Sequence, residues 1–190
     1  QYSFFDQVGT MVSFITFSTP IFIVGVGLQL LLALYLERWT GVKLFYVAGM
    51  TSPGYEDLGR GILGMPSLAQ LGDITQHLAL PALSIAVISM AGYSRFQRAS
   101  MLEVMHSDYL RTAKAKGLPR RVVIIKHALR NALIPIVTLL SLNIAFIIGG
   151  AIITESIFGW PGVGRLYIGA IQAIDYPTIM AVVMAIGVGV

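Results

Sequence analysis

The sequence predicts an all-α fold, a polytopic bundle of membrane-spanning helices. Three observations carry that prediction. The composition is 56% hydrophobic and 12% charged, with a mean hydropathy of +0.78, whereas soluble domains run at about 45–50% apolar and about 25% charged. The apolar residues fall in long runs, such as the uncharged 24-residue stretch Val12–Tyr35. The basic residues collect in one segment, residues 95–131, between two such runs. A soluble domain with an unusually large core is the alternative that this composition disfavours. With no cysteine, disulfides and thiolate metal sites are excluded.

The first span is expected at residues 12–36. At 1.5 Å per residue it reaches roughly 36 Å, enough for a hydrocarbon core of about 30 Å with some tilt. Pro20 removes a backbone donor and predicts a kink. Gly25 and Gly27 offer small surfaces for close helix packing, and Gln29 is the one amide there. Residues 37–77 hold seven glycines with Pro53 and Pro66, turn chemistry that predicts an irregular loop. Trp39, Tyr46 and Tyr55 suit a membrane interface. The second span is expected at 78–95. Its apolar core is short, so Gln76 and Ser94 extend it, and Pro81 sits near its start, where a missing N–H costs least. The third span is expected at 132–154, with Pro135 near its beginning and Gly149–Gly150 near its end. Asn143 at its middle calls for a partner on another helix. A turn-rich stretch, 155–175, precedes a fourth span at 176–190. The chain starts without Met and ends inside an apolar run, and no signal peptide is visible. It therefore reads as one transmembrane domain over 1–190, incomplete at both ends.

Charge sets the orientation. Residues 95–131 hold nine of the thirteen Lys and Arg residues against Glu103 and Asp108, a net of +7. The loops on either side each net −1. The positive-inside rule places residues 96–131 in the cytoplasm as one loop, and the other two loops outside.

Within that loop a short helix is written into the sequence. Asp108 suits an N-cap, Tyr109–Lys116 are mostly helix formers, and Gly117 suits the left-handed residue after a helix, with Pro119 preventing continuation. Two turns are marginal alone, so the helix needs packing or a partner. Tyr109, Ala113 and Gly117 share one side, a small face rimmed by Arg111, Lys114 and Lys116. Pro119 can open a second helix at its first position. There Val122, Ile125, Leu129 and Leu133 recur as an amphipathic stripe leading into the third span. A push on the short helix would then reach a membrane helix. Positive-inside placement alone, or anionic lipid binding, explains the charge equally well. Nucleic acid does not fit, because aromatic interleaving is missing.

At these residues the sequence resembles a known family. Asp108-Tyr109-Leu110-Arg111-Thr112-Ala113-Lys114-Ala115-Lys116-Gly117-Leu118, with His127-Ala128-Leu129-Arg130-Asn131-Ala132-Leu133-Ile134-Pro135, is similar to the cytoplasmic loop of ABC importer permeases. More narrowly, it resembles the first permease type of the dipeptide/oligopeptide group. Arg98–Val104, Thr154–Leu166 and Asp175-Tyr176-Pro177 are similar too. Where the wider family has Glu-Ala-Ala before the glycine, Arg111-Thr112-Ala113 stands here, the pattern of the peptide group. The resemblance implies an importer type I permease fold, about four of whose six spans lie in this chain. It implies ATPase docking through Asp108, Tyr109, Arg111, Thr112, Ala113, Lys116 and Gly117, with Pro119, Asn131 and Pro135 as structural or lever residues. It also implies a second homologous permease, two cytoplasmic ATPase subunits that bind the ATP, and an extracytoplasmic substrate-binding protein, all in a lipid membrane. The permease itself would be no enzyme and bind no cofactor directly. The sequence agrees in lacking a GxxxxGK[ST] phosphate loop.

Gln29, Asn143 and Glu155 are candidates for a pathway or gate, with a pairing of Glu155 to Arg165 as the structural alternative. Trp160-Pro161-Gly162 with Gly164 reads as a sharp external turn. Met101 and Met105 read as packing. His77, His106 and His127 lack metal-type spacing. Peptides are the expected cargo, with nickel complexes, glutathione or another small solute as the alternatives. A secondary transporter or channel would need acids buried mid-span, and the expected spans have none.

Overall fold

The structure, a computed structural model, describes residues 4–54, 67–148 and 151–189. All regular structure among the described residues is helical. Three helices are long and apolar enough to cross a membrane: Ile21–Thr40, Leu68–Met105 and Arg120–Asn143. The chain forms two compact units, Gln1–Ser18 with Ser89–Ala145, and Thr19–Ile88 with Phe146–Val190.

In the first unit, α1 (Phe4–Ser18) packs on the second half of α3 (Leu68–Met105). The Arg98 guanidinium pairs with Asp6 at 2.8 Å and donates to the Thr10 hydroxyl. The Arg95 guanidinium lies over the rings of Phe14 and Phe17. After α3 come the short α4 (Asp108–Ala115) and α5. α5 runs from Arg120–Val122 through the π-helical stretch Val123–Leu129 to Arg130–Ala132. A turn at Leu133 leads into α6 (Ile134–Ile148). Pro135 explains that turn, since it has no N–H to return to the Asn131 carbonyl.

In the second unit, α2 (Ile21–Thr40) contains another π-helical stretch, Gln29–Tyr35. It packs with the first half of α3 and with α7 (Ile152–Ile157), burying Ala33, Leu80 and Phe158. Gly25 favours a close approach to the end of α7, because an added Cβ would sit a tight 3.3 Å from the Phe158 ring just beyond it. α8 (Val163–Gln172) and α9 (Tyr176–Gly189) follow.

The helices depart from the expected span boundaries in four places. The first apolar run is two helices, because α1 ends at Ser18 and Pro20 becomes the N-cap of α2; the helix long and apolar enough to cross a membrane is Ile21–Thr40. The second span belongs to a 38-residue helix, so Pro81 lies in a helix interior rather than near a start. The Ser84 hydroxyl donates to the Pro81 carbonyl there at 2.8 Å. The third span starts at Arg120, inside the expected loop. Its helix ends at Ile148, and Gly149–Gly150 lie outside the described residues. The stretch 37–77 is also less irregular than its glycines suggest, since α3 already begins at Leu68. Residues 55–66, including Tyr55, lie outside the described residues.

Candidate docking and coupling site

The short helix forms over Asp108–Ala115. Ser107, not Asp108, supplies its first carbonyl, to the Arg111 amide at 3.3 Å. Asp108 is therefore the first helical residue, with its carboxylate 3.7 Å from Arg111 and open to solvent. An acid there still complements the positive end of the helix dipole. Gly117 stops the helix in the left-handed region, at φ +76°. Pro119 is the N-cap of α5 rather than its first residue, with φ −60° and ψ 140°.

The face that the helix buries differs from the expected one. Leu110 is fully buried and Ala113 is 8% exposed, in a cluster with Val123 and Ala128 of α5. Met101, Val104 and Met105 of α3 complete it. Ala113 therefore faces the chain's own core, while Tyr109 and Gly117, on either side of it in the expected small face, stay exposed. The outward side consists of Tyr109, Arg111, Thr112, Lys116 and Gly117, all exposed. A substitution such as Ala113→Glu would put a charge into this cluster.

The lever is also turned relative to the expected stripe. Val122, Ile125, Leu129 and Leu133 are exposed at 36–54%. The buried face is Val123, Ala128, Ala132 and Ile136. Its first interval is five residues because Val123–Leu129 is π-helical, which shifts the register. The Ser100 hydroxyl donates to the Ala132 carbonyl at 3.0 Å, so α3 approaches α5 closely where Ala132 has no bulk.

The three pathway candidates are engaged by the chain itself. The Gln29 amide donates to the carbonyls of Val47 (2.8 Å) and Ile157 (3.3 Å). The Asn143 amide donates to the Tyr93 hydroxyl on α3 at 2.7 Å, the inter-helix partner that its position called for. The Glu155 carboxylate accepts from the backbone amides of Ala151 (3.1 Å) and Arg165 (2.7 Å). It pairs with the amide of Arg165, not its guanidinium, and so caps α8 electrostatically. Gly162 exists for this contact: a Cβ there would overlap the Glu155 carboxylate. Gly164 serves the same close approach, since its Cβ would fall 2.9 Å from the Ile152 backbone.

Two features escaped the sequence reading. Ser67 and Gln70 form a reciprocal cap at the start of α3, with the Ser67 amide donating to the Gln70 side chain at 2.9 Å. Ser-x-x-Gln is the sequence signal for it. Downstream, the buried Asp73 carboxylate accepts from the Ser52 amide and hydroxyl, both at 2.7 Å. Tyr46, expected at an interface, stacks on His77 at 3.8 Å beside it. No sequence signal links residues so far apart. At the other loop, the exposed Asp175 caps α9, and hydrogen bonds from the Thr178 hydroxyl and amide hold its carboxyl below the ordinary carboxylate value. Among the described residues no group of His, Asp and Glu is placed to hold a metal ion.

These features define a class: a multi-pass helical membrane protein in which a short basic helix is packed onto the beginning of a span. The chain belongs to the family of binding-protein-dependent transport system inner membrane components, which matches residues 1–190. It is 41% identical over 187 residues to the oligopeptide transport system permease protein OppB of Mycobacterium tuberculosis, covering 98% of this chain and 55% of that one. It is 38% identical over 185 residues to a putative peptide permease protein of Brucella suis, covering 97% and 52%. It is 37% identical over 171 residues to the glutathione transport system permease protein GsiC of Escherichia coli, covering 85% and 55%. The chain thus spans about half the length of these relatives.

Proposed function

We propose that the chain is part of a membrane-spanning permease subunit of an ATP-driven peptide importer. A substrate-binding protein delivers peptide on the outer side, and a second, homologous permease completes the pathway. Two cytoplasmic ATPase subunits bind and hydrolyse ATP, so this chain carries no catalytic residue or cofactor. The observation that carries the reading is the Leu110–Ala113–Val123–Ala128 cluster, which fixes α4 to the start of a span and leaves its polar side outward. Force applied to Arg111, Thr112 or Lys116 passes through that cluster into α5. The peptide cargo is supported by the names of the relatives. Glutathione, the cargo named for GsiC, is the second reading and is itself a tripeptide.

The test is the charge reversal Arg111→Glu with Lys116→Glu in the complete transporter. Both side chains are exposed, so folding is spared. Peptide uptake should fall at least tenfold while the permease stays in the membrane, and the ATPase subunits should no longer co-purify. Undiminished uptake of labelled peptide would refute the docking role. Competition between glutathione and longer peptides then separates the two cargoes.

A further inference from the structure

A basic cavity beside the short helix shares Tyr109 with the docking side and Asn131 with the lever, but its cations Lys126 and Arg130 have no part in the docking reading. Tyr109 of α4, Lys126, His127, Arg130 and Asn131 of α5, and Ile134 of α6 line a volume of about 530 Å³. Among the described residues, no hydrogen bond or ion pair engages the side chain of Lys126, His127, Arg130 or Asn131. Two other basic residues of this unit are occupied: Arg98 by Asp6, Arg95 by two phenylalanine rings. Lys126 and Arg130 are one helical turn apart and face the same opening with no counter-anion. Arg130 offers a planar fork suited to two phosphate oxygens. The Tyr109 hydroxyl and the Asn131 amide add neutral donors.

The same face turns apolar immediately afterwards. Ile134, a turn beyond Arg130, lines the cavity and is 62% exposed, and Val137 is 58% exposed. Cations followed by exposed aliphatic residues at the mouth of a span match a phospholipid: the phosphodiester meets Lys126 and Arg130, and an acyl chain runs along Ile134 and Val137. An acidic side chain of a protein partner would use the cations but not the aliphatic continuation. Because Tyr109 comes from α4 and the other groups from α5 and α6, a molecule in the cavity touches both the short helix and the lever.

We infer that this cavity is a headgroup site for an anionic phospholipid of the cytoplasmic leaflet, whose occupancy braces α4 against the start of the third span. The inference rests on the membrane orientation and is independent of cargo. The test uses the complete transporter in nanodiscs of phosphatidylcholine, with or without phosphatidylglycerol. Acetylation of Lys126, read by mass spectrometry, should drop when phosphatidylglycerol is present, while acetylation of Lys116 stays constant. Equal labelling of Lys126 in both discs overturns the inference. Protection by inorganic phosphate in pure phosphatidylcholine would mean a free anion, not a lipid. Protection that needs the ATPase subunits whatever the lipid would mean a protein acid.

The double variant Lys126→Gln with Arg130→Gln should retain phosphatidylglycerol about thirtyfold more weakly, the effect of losing two cations at an anionic surface. The pair Arg120→Gln with Arg121→Gln removes equal charge from outside the cavity and should leave retention near that of the unaltered protein. Equal weakening in both pairs would reduce the effect to diffuse attraction and sink the site.

Discussion

Gly162→Ala is the sharpest test of how the Glu155 turn is built. Gly162 has φ −103°, a backbone conformation that alanine adopts without strain. Any cost must therefore come from space. The added Cβ overlaps the Glu155 carboxylate, which sits on the amides of Ala151 and Arg165. The carboxylate has to leave, and both bonds go with it. Hydrogen bonds to a charged group contribute about 1.5–3 kcal/mol each. One of these two is solvent-exposed, which argues for the lower half of that range. The expected cost is about 3–4.5 kcal/mol, read as a shift in the unfolding midpoint in detergent and followed by tryptophan fluorescence.

The decisive arm is a double-mutant cycle with Glu155→Ala. Once the carboxylate is gone, Gly162→Ala has nothing to displace and should cost under about 0.5 kcal/mol, so the coupling equals nearly the whole single-variant effect. Gly164→Ala is the contrast. Its obstacles are the Ile152 Cγ1 at 2.6 Å and the Ile152 backbone at 2.9 Å, so trimming Ile152 to alanine should rescue it only in part. Additive costs for Gly162→Ala and Glu155→Ala would refute the displacement argument, whatever their size.

Three further outcomes follow from the packing. Leu110→Ala should destabilise the protein by about 2–5 kcal/mol, the usual cost of emptying a fully buried leucine site, and should lower peptide uptake without loss of the ATPase subunits on purification. Ile174 is exposed at a left-handed φ of +56°, so Ile174→Asn should raise the unfolding midpoint by about 1 kcal/mol of relieved strain; a fall would show that the strain is absent. Asp175 has a depressed carboxyl pKa, so its stabilising effect is present above the unfolded carboxylate value and is lost as pH falls through the lower folded value. Asp175→Asn should therefore lower stability at neutral pH and flatten the acid limb, so that the two profiles converge at low pH.

What the sequence made legible follows from the range over which each signal acts. Gly117 was readable because one residue and one dihedral decide it. The uncharged runs were readable because burial in lipid acts on composition rather than on register. Asp108 was misplaced by one position because Ser107 is an equally good residue to begin a helix, and local preference does not break that tie. The stripe Val122, Ile125, Leu129 and Leu133 presumed a period of 3.6, which the π-helical stretch Val123–Leu129 breaks. The Ser67–Gln70 cap lay in plain sight, hidden only by the glycine-rich composition around it. The Glu155 turn was not readable, because the glycines at 162 and 164 are fixed by atoms seven and twelve residues away.

The register shift bears on how force would travel. On a 3.6-residue period, residue 128 would lie 140° around from residue 123; a π-turn of about five residues brings the two onto one line. Val123 and Ala128 can then both press on the face of α4 that holds Leu110 and Ala113. A regular α-helix here would offer the short helix one contact instead of two and leave it free to rock. The π-stretch therefore stiffens the joint between α4 and the span, and stiffness is what a coupling element needs. It also rotates Val122, Ile125 and Leu129 outward, so the side of α5 that faces away from the short helix is set by the same irregularity that holds that helix.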